Sequence, residues 1–294
     1  MSGLEWFIER YWALGSNLSG DEKTPQAIRI NPLKTTGTEL LDILSWQGVK
    51  LEKISFLDYG YKVIESPFSL GASIEYLLGL YSLQETASQY PTQALAPSPN
   101  DRVLDMASAP GGKTTQAAAY MQNKGVIVAI DINRDRLYAT ENNVERCGVT
   151  NTSIYHLDAL SLPDIPAFSK ILLDAPCSGN YTTDNHWFKK RTEKDIERNA
   201  ELQKRLLTKA LNLLESGGTL AYSTCSLEPE ENELNIQWLL ENHDVRLEQL
   251  DGPGSPALTT IFDAKLDDQI SHCRRFWPDQ TGTQGFFVAK VVKH

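Results

Sequence analysis

The sequence predicts an α/β fold in which a small N-terminal α+β appendage precedes a doubly wound, mostly parallel sheet. Between residues 103 and 156, short apolar strands alternate with helices, which is the order of successive βαβ units. The alternation returns between the apolar strands around Ile171 and Leu220, which a long helix separates. Because parallel strands need helical crossovers, the predicted sheet carries helices on both faces.

The individual elements follow from apolar runs and from glycine signals. In order they are a strand at 103–105, a helix at 113–121, a strand at 125–131, a helix at 134–147, strands at 153–156 and 170–173, a helix at about 193–215 and a strand at 218–222. Gly148 suits a left-handed C-terminal cap for the helix before it. Gly217-Gly218 lies between the last helix and the last strand.

Length and turn signals divide the chain into two predicted domains. At 294 residues, the chain can form one large α/β domain and a smaller appendage. Residues 1–75 mix short helical and extended signals around a turn at Asn31-Pro32, and they form the appendage. Residues 76–294 form the larger domain, in which a proline-rich stretch at 90–100 leads into the first sheet strand.

Composition excludes several classes of protein. Hydrophobic residues make up 41% and charged residues 22%, as in ordinary folded proteins. No apolar run approaches the roughly 20 residues that cross a bilayer. Glu5, Glu9 and Arg10 interrupt the N-terminal apolar residues, so no signal peptide is predicted and we expect a cytoplasmic protein without a membrane partner. The net charge of −10 disfavours nucleic-acid binding over the whole surface but permits a local basic groove.

The cysteines argue against a metal site. Cys147, Cys177, Cys225 and Cys273 are scattered without CxxC or Cys/His ligand spacing, so neither zinc nor a disulfide framework is predicted. Cys147 and Cys273 are interpreted as packed side chains.

A glycine turn at the end of the first sheet strand predicts a cofactor site. Asp105 is followed by Ala107, Ser108, Ala109, Pro110, Gly111, Gly112 and Lys113, a strand-turn-helix segment in which glycine lets the backbone approach a ligand. The segment lacks the GxGxxG and GxxxxGK[ST] spacings of dinucleotide and ATP sites. Asp131 ends the second strand, where a ribose diol is gripped, and Asp158 follows the third. Acids after successive strands favour S-adenosylmethionine, although such a turn can also serve packing and each acid can be a helix cap.

Two further cysteines follow strands and predict thiol chemistry. Cys177 lies in Asp174-Ala175-Pro176-Cys177 and Cys225 in Ser223-Thr224-Cys225-Ser226, and the ends of such strands meet in one crevice. A thiolate that adds to carbon 6 of a pyrimidine makes carbon 5 nucleophilic enough to accept a methyl group. A carboxylic acid, here Asp174, stabilises the charge, and a base then removes the carbon 5 proton. The alternative is a pair of buried structural cysteines.

Ordered motifs from about Arg29 to Ala289 resemble the NOL/NOP/Sun family of RNA cytosine-5 methyltransferases, which includes the RsmB-like enzymes. The matching stretches are 29–34 for R-x-N-x-x-K, 84–88 for Q-[DE]-x-x-S, 105–113 for D-x-x-A-A-P-G-G-K, 174–179 for D-A-P-C-S-G, 222–226 for Y-S-T-C-S, the acidic 230–233, and 275–278 with 285–289 for R-x-x-P…G-F-F-x-A. Ser108 stands where alanine or cysteine is commoner, and Asp279 where many members have histidine.

The resemblance implies a Rossmann-like class I S-adenosylmethionine methyltransferase fold and assigns roles to the motif residues. Cys225 is implied as the nucleophile, Cys177 as the group that assists product release, and Asp174 as a contact of the cytosine ring and the cofactor region. The turn from Ala107 to Lys113 is implied to cradle the methionine part, Asp131 and Asp158 to bind ribose and adenine, Arg136 to line the adenosine pocket, and Lys113 to orient the target or cofactor. DNA cytosine-5 methyltransferases carry a nucleophilic cysteine after proline, which would favour Cys177 instead.

RNA is the implied partner, with tRNA favoured over rRNA because the chain shows no long basic extension; the oligomeric state stays open, with a monomer compatible. A basic segment was the first candidate RNA surface: Lys189, Lys190, Arg191, Lys194, Arg198, Lys204, Arg205 and Lys209. Trp187 or Tyr181 would stack a neighbouring base, and Arg29 with Lys34 form a second candidate surface. The alternatives are a salt-bridged helix face, a DNA substrate, or an RNA-binding assembly factor without turnover.

Overall fold

The computed structural model describes residues 3–294, and within this range no helix is both long and apolar enough for a membrane span. The chain forms two compact units. The first unit contains the N-terminal residues up to Thr24, Pro163–Ala167 and Leu173–His294, and the second contains Pro25–Leu162 and Phe168–Leu172. The predicted division at residue 75 stays a prediction.

The helices and strands are numbered in chain order. The helices are α1 Leu4–Ala13, α2 Gly37–Trp46, α3 Ile74–Leu77, α4 Thr86–Leu95, α5 Gly112–Tyr120, α6 Arg134–Arg146, α7 Trp187–Lys190, α8 Glu193–Leu213, α9 Glu233–Asn242 and α10 Pro278–Thr281, with 3-10 turns at Leu70–Ala72, Ala159–Ser161 and Asp268–His272. The strands are β1 Ala27–Ile30, β2 Lys50–Lys53, β3 Gly60–Glu65, β4 Tyr81–Leu83, β5 Arg102–Asp105, β6 Val126–Asp131, β7 Thr152–His156, β8 Phe168–Asp174, β9 Leu214–Thr224, β10 Val245–Leu247, β11 Ser255–Pro256, β12 Thr260–Ile261, β13 Ala264–Lys265, β14 Arg274–Phe276 and β15 Phe286–Lys293.

The second unit contains a parallel sheet and an antiparallel sheet. The parallel strands run in the order β8-β5-β6-β7, with Leu104 opposite both Val128 and Ile171. The antiparallel strands run in the order β2-β3-β1-β4, and their core includes Ile28 and Leu40. The parallel βαβ order is the one predicted from the apolar runs, and it fits a Rossmann-like fold.

The first unit contains antiparallel pairing around β15. Strand β15 lies between β9 and β14, with Phe287 opposite Thr224 and Val292 opposite Thr219. Strand β8 passes from one unit to the other, since its residues up to Leu172 belong to the second unit and its last two to the first. Cys177 lies three residues after the end of β8, and Cys225 directly follows β9.

One helix was not predicted, and the start of one strand was predicted wrongly. The proline-rich stretch begins inside α4, where Pro91 is buried; Glu85 caps this helix by accepting hydrogen bonds from the N–H groups of Ala87 and Ser88 at 2.7 and 3.2 Å. Strand β9 begins at Leu214 and runs through Gly217, which takes a left-handed φ of 75° within the strand. Gly148 does have the predicted left-handed φ, at 70°, after α6.

Candidate active site

The two cysteines at strand ends are brought together. Cys177 follows the end of β8 by three residues and Cys225 directly follows β9. Their Sγ atoms lie 3.3 Å apart, and both residues are partly exposed, whereas Cys147 and Cys273 are buried. The pair that the sequence selects for chemistry is therefore in contact and within reach of a ligand.

Asp174 is the last residue of β8 and lies three positions before Cys177. The Ser223 hydroxyl donates a hydrogen bond to Asp174 Oδ1 at 2.8 Å, and the Ala175 N–H donates to the Ser223 carbonyl oxygen at 2.8 Å. These two bonds tie the end of β8 to the end of β9 and fix the carboxylate between the two cysteine-bearing segments.

The pKa of the Cys177 thiol lies well above its ordinary value. The first cause is its hydrogen bond with Cys225, followed by desolvation and by the negative charges of Cys225 and Glu231. The protonated form of Cys177 is therefore favoured. Because the thiolate is the nucleophilic form of cysteine, this asymmetry favours Cys225 as the attacking group.

Side chains fix the backbone around Cys177. Gln203 Nε2 donates to the Pro176 carbonyl oxygen at 2.9 Å, and Trp187 Nε1 and Arg191 Nε both donate to the Ser178 carbonyl oxygen, at 2.7 and 2.9 Å. The carbonyl oxygens on both sides of Cys177 are thus hydrogen-bonded. The donors are side chains that lie later in the sequence than the loop itself.

These contacts correct the predicted stacking residues. Trp187 is 2% exposed and Tyr181 is 4% exposed, so neither ring is available to an RNA base. Tyr181 donates instead to Glu22, and Arg191 supports the Cys177 loop. Aromatic and basic residue types indicated an RNA surface, but the burial of a ring depends on packing partners far away in the sequence.

Asn180, which was not predicted from the sequence, and Asn232 of the acidic motif hold the segment of Cys225. Asn180 Nδ2 donates to the carbonyl oxygens of Cys225 and Gly285 at 2.7 and 3.1 Å, and Asn232 Nδ2 donates to that of Ser226 at 2.9 Å. Asn180 and Asn232 are fully buried. Their positions in the sequence point to this role, because each lies a few residues after a cysteine motif.

The glycine turn of the second unit connects β5 to α5. Asp105 Oδ2 accepts a hydrogen bond from the Thr114 hydroxyl at 2.6 Å. Gly111 caps α5 with φ at 95°, and a Cβ there would lie 3.1 Å from the Cα of Thr140. The turn therefore requires glycine for its backbone conformation and for its close approach to α6.

Asp131 and Arg136 both bind this turn. Asp131 Oδ2 accepts from the Ala109 N–H at 3.1 Å, its Oδ1 accepts from the Asn133 N–H at 2.8 Å, and the Arg136 guanidinium donates to the Ala109 carbonyl oxygen at 2.7 Å. The structure thus brings Asp131 and Arg136 to the predicted cradle. Their assignments to ribose and adenosine stay predictions.

The remaining predicted cofactor residues lie around the same turn or at the next strand. Ala107 and Lys113 are half-buried, whereas Ser108 is buried and its hydroxyl has no hydrogen-bond partner among the described residues. Asp158 is exposed and caps the 3-10 turn after β7 by accepting from the Leu160 N–H at 2.9 Å. A buried hydroxyl without a partner beside an N-terminal helix turn fits a polar ligand group.

The basic segment is largely salt-bridged to its own surroundings. Lys190 pairs with Asp184 at 2.7 Å, Arg198 with Asp195 at 3.1 Å and Lys204 with Glu201 at 2.7 Å, while Lys209 pairs with Asp164. Such ion pairs are typical of a solvated, salt-bridged helix face. This alternative to an RNA-binding groove therefore explains four of the eight predicted basic residues.

Arg29 is not a surface residue. It is 3% exposed and donates to the Thr115 hydroxyl at 2.9 Å and to the Gly112 carbonyl oxygen at 2.7 Å. Burial lowers its pKa to about 10. Arg29 therefore supports the start of α5 and was wrongly assigned to an RNA surface, whereas Lys34 is exposed.

Asp279 has a structural contact in the first unit. Its Oδ2 accepts a hydrogen bond from the Asn17 N–H at 2.9 Å. Among residues 3–294, no group of three or more His, Cys, Asp or Glu side chains is arranged to hold a metal ion.

Comparisons with known proteins give one consistent family. The 16S rRNA methyltransferase RsmB/F family matches residues 92–292. The chain is 40% identical over 279 residues to the 28S rRNA (cytosine-C(5))-methyltransferase of Mus musculus, covering 92% of this chain and 35% of the relative. It is 36% identical over 279 residues to the ribosomal RNA small subunit methyltransferase F of Escherichia coli O1:K1, covering 91% and 57%. The chain thus spans about a third to somewhat over half of these curated relatives.

Solved structures resemble the whole chain. A methyltransferase homologue from Pyrococcus horikoshii is 42% identical with a TM-score of 0.91, covering 99% of this chain and 95% of that one. NSun6 from the same organism is 26% identical with a TM-score of 0.86, covering 98% and 97%. The architecture is therefore that of a methyltransferase over its full described length.

Proposed function

The chain belongs to the 16S rRNA methyltransferase RsmB/F family, and from that premise we propose that it is an S-adenosylmethionine-dependent RNA cytosine-5 methyltransferase that acts on ribosomal RNA. The observation that carries the proposal is the pair of partly exposed thiols, Cys177 and Cys225, whose sulfur atoms lie 3.3 Å apart. A protein that only binds RNA needs neither thiol. This disfavours the assembly-factor alternative.

Cys225 and Cys177 divide the covalent chemistry in this proposal. The Cys225 thiolate forms a bond to carbon 6 of cytosine, and the displaced electron pair moves onto the ring, where Asp174 stabilises the charge through ring nitrogen 3. Carbon 5 then takes the methyl group. A general base takes the carbon 5 proton, the electron pair from that C–H bond restores the ring double bond, and the Cys225 sulfur leaves as a thiolate that the Cys177 thiol stabilises by its hydrogen bond.

S-adenosylmethionine would supply the methyl group as an electrophilic sulfonium substituent. We propose that the turn from Ala107 to Lys113 holds its methionine part, with the Ser108 hydroxyl as a polar contact, and that Asp131 and Asp158 hold ribose and adenine. Support comes from the buried hydroxyl of Ser108 and from the carboxylates at the ends of β6 and after β7. Arg136 and Lys113 are assigned to the rim of the same cradle.

Ribosomal RNA replaces tRNA as the favoured substrate. The sequence analysis favoured tRNA because the chain shows no long basic extension, with rRNA second. The curated relatives are named for ribosomal RNA and match nearly the whole chain, which supports the reverse order. We propose the largely exposed strand β2, together with the exposed Lys34, as part of the RNA-recognition appendage predicted at residues 1–75.

Transfer of radiolabelled methyl groups tests the proposal. The protein is incubated with labelled S-adenosylmethionine and, separately, unmodified rRNA, tRNA and matched DNA, and the nucleosides are then separated. Label in 5-methylcytidine from rRNA, lost in Cys225→Ala, is the expected result. Label in tRNA or DNA alone would overturn the rRNA assignment, and no label with intact cofactor binding would favour the assembly factor.

A further inference from the structure

A buried hydrogen-bonded cluster lies directly behind the two thiols. Each cysteine is followed by a serine, and the hydroxyls of Ser178 and Ser226 lie 3.0 Å apart. Glu231 closes the cluster, because its Oε2 lies 2.8 Å from the Ser178 hydroxyl and its Oε1 lies 2.9 Å from the Ser178 backbone nitrogen. Ser178, Ser226 and Glu231 are all fully buried.

The hydrogens of this cluster can be assigned in one direction. A carboxylate only accepts, so the hydroxyl and the N–H of Ser178 both donate to Glu231. The Ser226 hydroxyl has one hydrogen, which it can donate to the Ser178 oxygen or to Glu231, and its oxygen accepts the Glu228 N–H at 3.1 Å. The chain of bonds therefore ends on one buried acid, and both Cys-Ser dipeptides depend on it.

We propose that Glu231 is a positioning residue for both thiols, fixing Ser178 and Ser226 and thereby the separation of the Cys177 and Cys225 sulfur atoms. The role rests on the proposed cytosine-5 methylation, but the acid itself touches neither substrate nor cofactor. A misplacement of about 1 Å in a reacting group costs on the order of 100-fold in rate. Both thiols act in turn on one cytosine ring. Loss of the residue that anchors them should therefore lower the reaction rate on that scale.

Two observations support a role beyond packing. The charge of Glu231 contributes to the raised pKa of Cys177, so the same acid favours the protonated form of the thiol that assists release. Burial raises the pKa of Glu231, while hydrogen bonds from Ser226 and Ser178 lower it. The two serines thus oppose the effect of burial on the acid, and the acid keeps them oriented.

Disulfide closure tests the geometry without any RNA or cofactor. Diamide removes two electrons and two protons from the thiol pair and leaves a Cys177–Cys225 disulfide, which mass spectrometry of peptides quantifies. Glu231→Gln replaces an acceptor of the Ser178 hydrogens by a neutral amide, and we expect closure to slow by about tenfold, the scale of a hydrogen bond to a charged group. Glu228→Gln is the matched control, since Glu228 is equally buried in the same segment but its carboxylate binds Arg10 and Tyr11.

The kinetic split completes the test. In methyl transfer, Glu231→Gln should lower kcat by about 10- to 100-fold with KM for RNA and cofactor nearly unchanged, and Glu231→Asp should recover part of it. Closure and kcat equal to those of Glu228→Gln would overturn the positioning role. If the wild-type protein transfers no methyl group, the proposed function fails. The rate of disulfide closure still tests whether Glu231 positions the two thiols.

A second variant keeps the test open if Glu231→Gln does not fold. Ser178→Ala removes one donor to the acid and leaves the backbone N–H bond in place. We expect about threefold slower closure, with Ser226→Ala giving a change of the same size because its hydroxyl acts through the same chain. Normal closure in both variants would overturn the proposal.

Discussion

The glycine turn and the thiol pair are built by different means. The turn takes its conformation from Gly111 and from Asp131, which bonds Ala109 across 22 positions, and Arg29 adds one distant contact, to Gly112 across 83 positions. The thiol pair has only distant supports among these contacts, since Glu231 bonds Ser178 across 53 positions and Asn180 bonds Cys225 across 45. The conformation of a ligand cradle can thus come mostly from nearby residues, whereas two reacting groups of one site need support from the rest of the fold.

The largest effect should come from the attacking sulfur. Cys225→Ala should lower methyl transfer by on the order of 10³ or more, the scale on which enzymes lose a nucleophile. Binding of S-adenosylmethionine should stay within about twofold, because the turn belongs to the locally built region. Isothermal titration and labelled-methyl assays measure the two quantities, and a joint loss of both would break the distinction between the regions.

Cys177→Ala should distinguish the role of Cys177 in product release from the role of Cys225 in attack. Multiple turnover should fall by about 100-fold, since general acid–base groups contribute on that scale. The attack itself survives, so an RNA–protein adduct that resists denaturant should accumulate and appear as a shifted band on a denaturing gel. Cys273→Ala serves as the thiol control. Free turnover without an adduct would remove Cys177 from product release.

Glu228 provides a pH-dependent test of the acidic segment that supports the thiol region. Burial raises the pKa of Glu228 from its ordinary 4.5 to about 7. The folded chain therefore holds a proton that the unfolded chain releases, so this contribution to stability is complete below the unfolded pKa and lost as pH rises through the folded one. Relative to Glu228→Gln, the free energy of unfolding of wild type should fall by about 3 kcal/mol across that window.

Urea denaturation at several pH values measures this difference. A constant gap between wild type and Glu228→Gln would show that the pKa of this carboxyl is the same in the folded and unfolded chains. Glu230→Gln is the matched control, because Glu230 also pairs with Arg10 but is partly exposed.

The smallest effect is expected in the turn. Gly111→Ala adds a Cβ 3.1 Å from Thr140 Cα at a φ of 95°, which should cost roughly 1–2 kcal/mol of unfolding free energy. Affinity for S-adenosylmethionine should fall with it, while diamide closure of the thiols should stay at the wild-type rate. Gly217→Ala is the control for a glycine at positive φ with open space around it. Slower disulfide closure in Gly111→Ala, with normal closure in Gly217→Ala, would show that the glycine turn and the thiol pair are coupled.

This difference also explains what the sequence could predict. The βαβ order, the glycine turn and the two cysteines after strands follow from apolar runs and from residues a few positions apart. The buried states of Trp187, Tyr181 and Arg29, by contrast, arise from tertiary contacts. A charged or aromatic residue indicates a surface only until its partners are known, so the RNA-binding residues were the weakest part of the prediction. Glu231 was visible as a family motif, but its partners were not.

The contact between α1 and Glu228 has a consequence for synthesis of the chain. Tyr11 emerges from the ribosome 217 positions before Glu228, the acid that its hydroxyl binds. At about 5–20 residues per second, this delay lasts about 10–40 s. During most of that time the apolar face of α1, with Phe7 and Ile8, lacks the ring of Trp187, whose centroid lies 4.5 Å from that of Phe7. The second unit is complete in sequence at Leu172, so the unit that carries the thiols is completed after it although α1 precedes it in the chain.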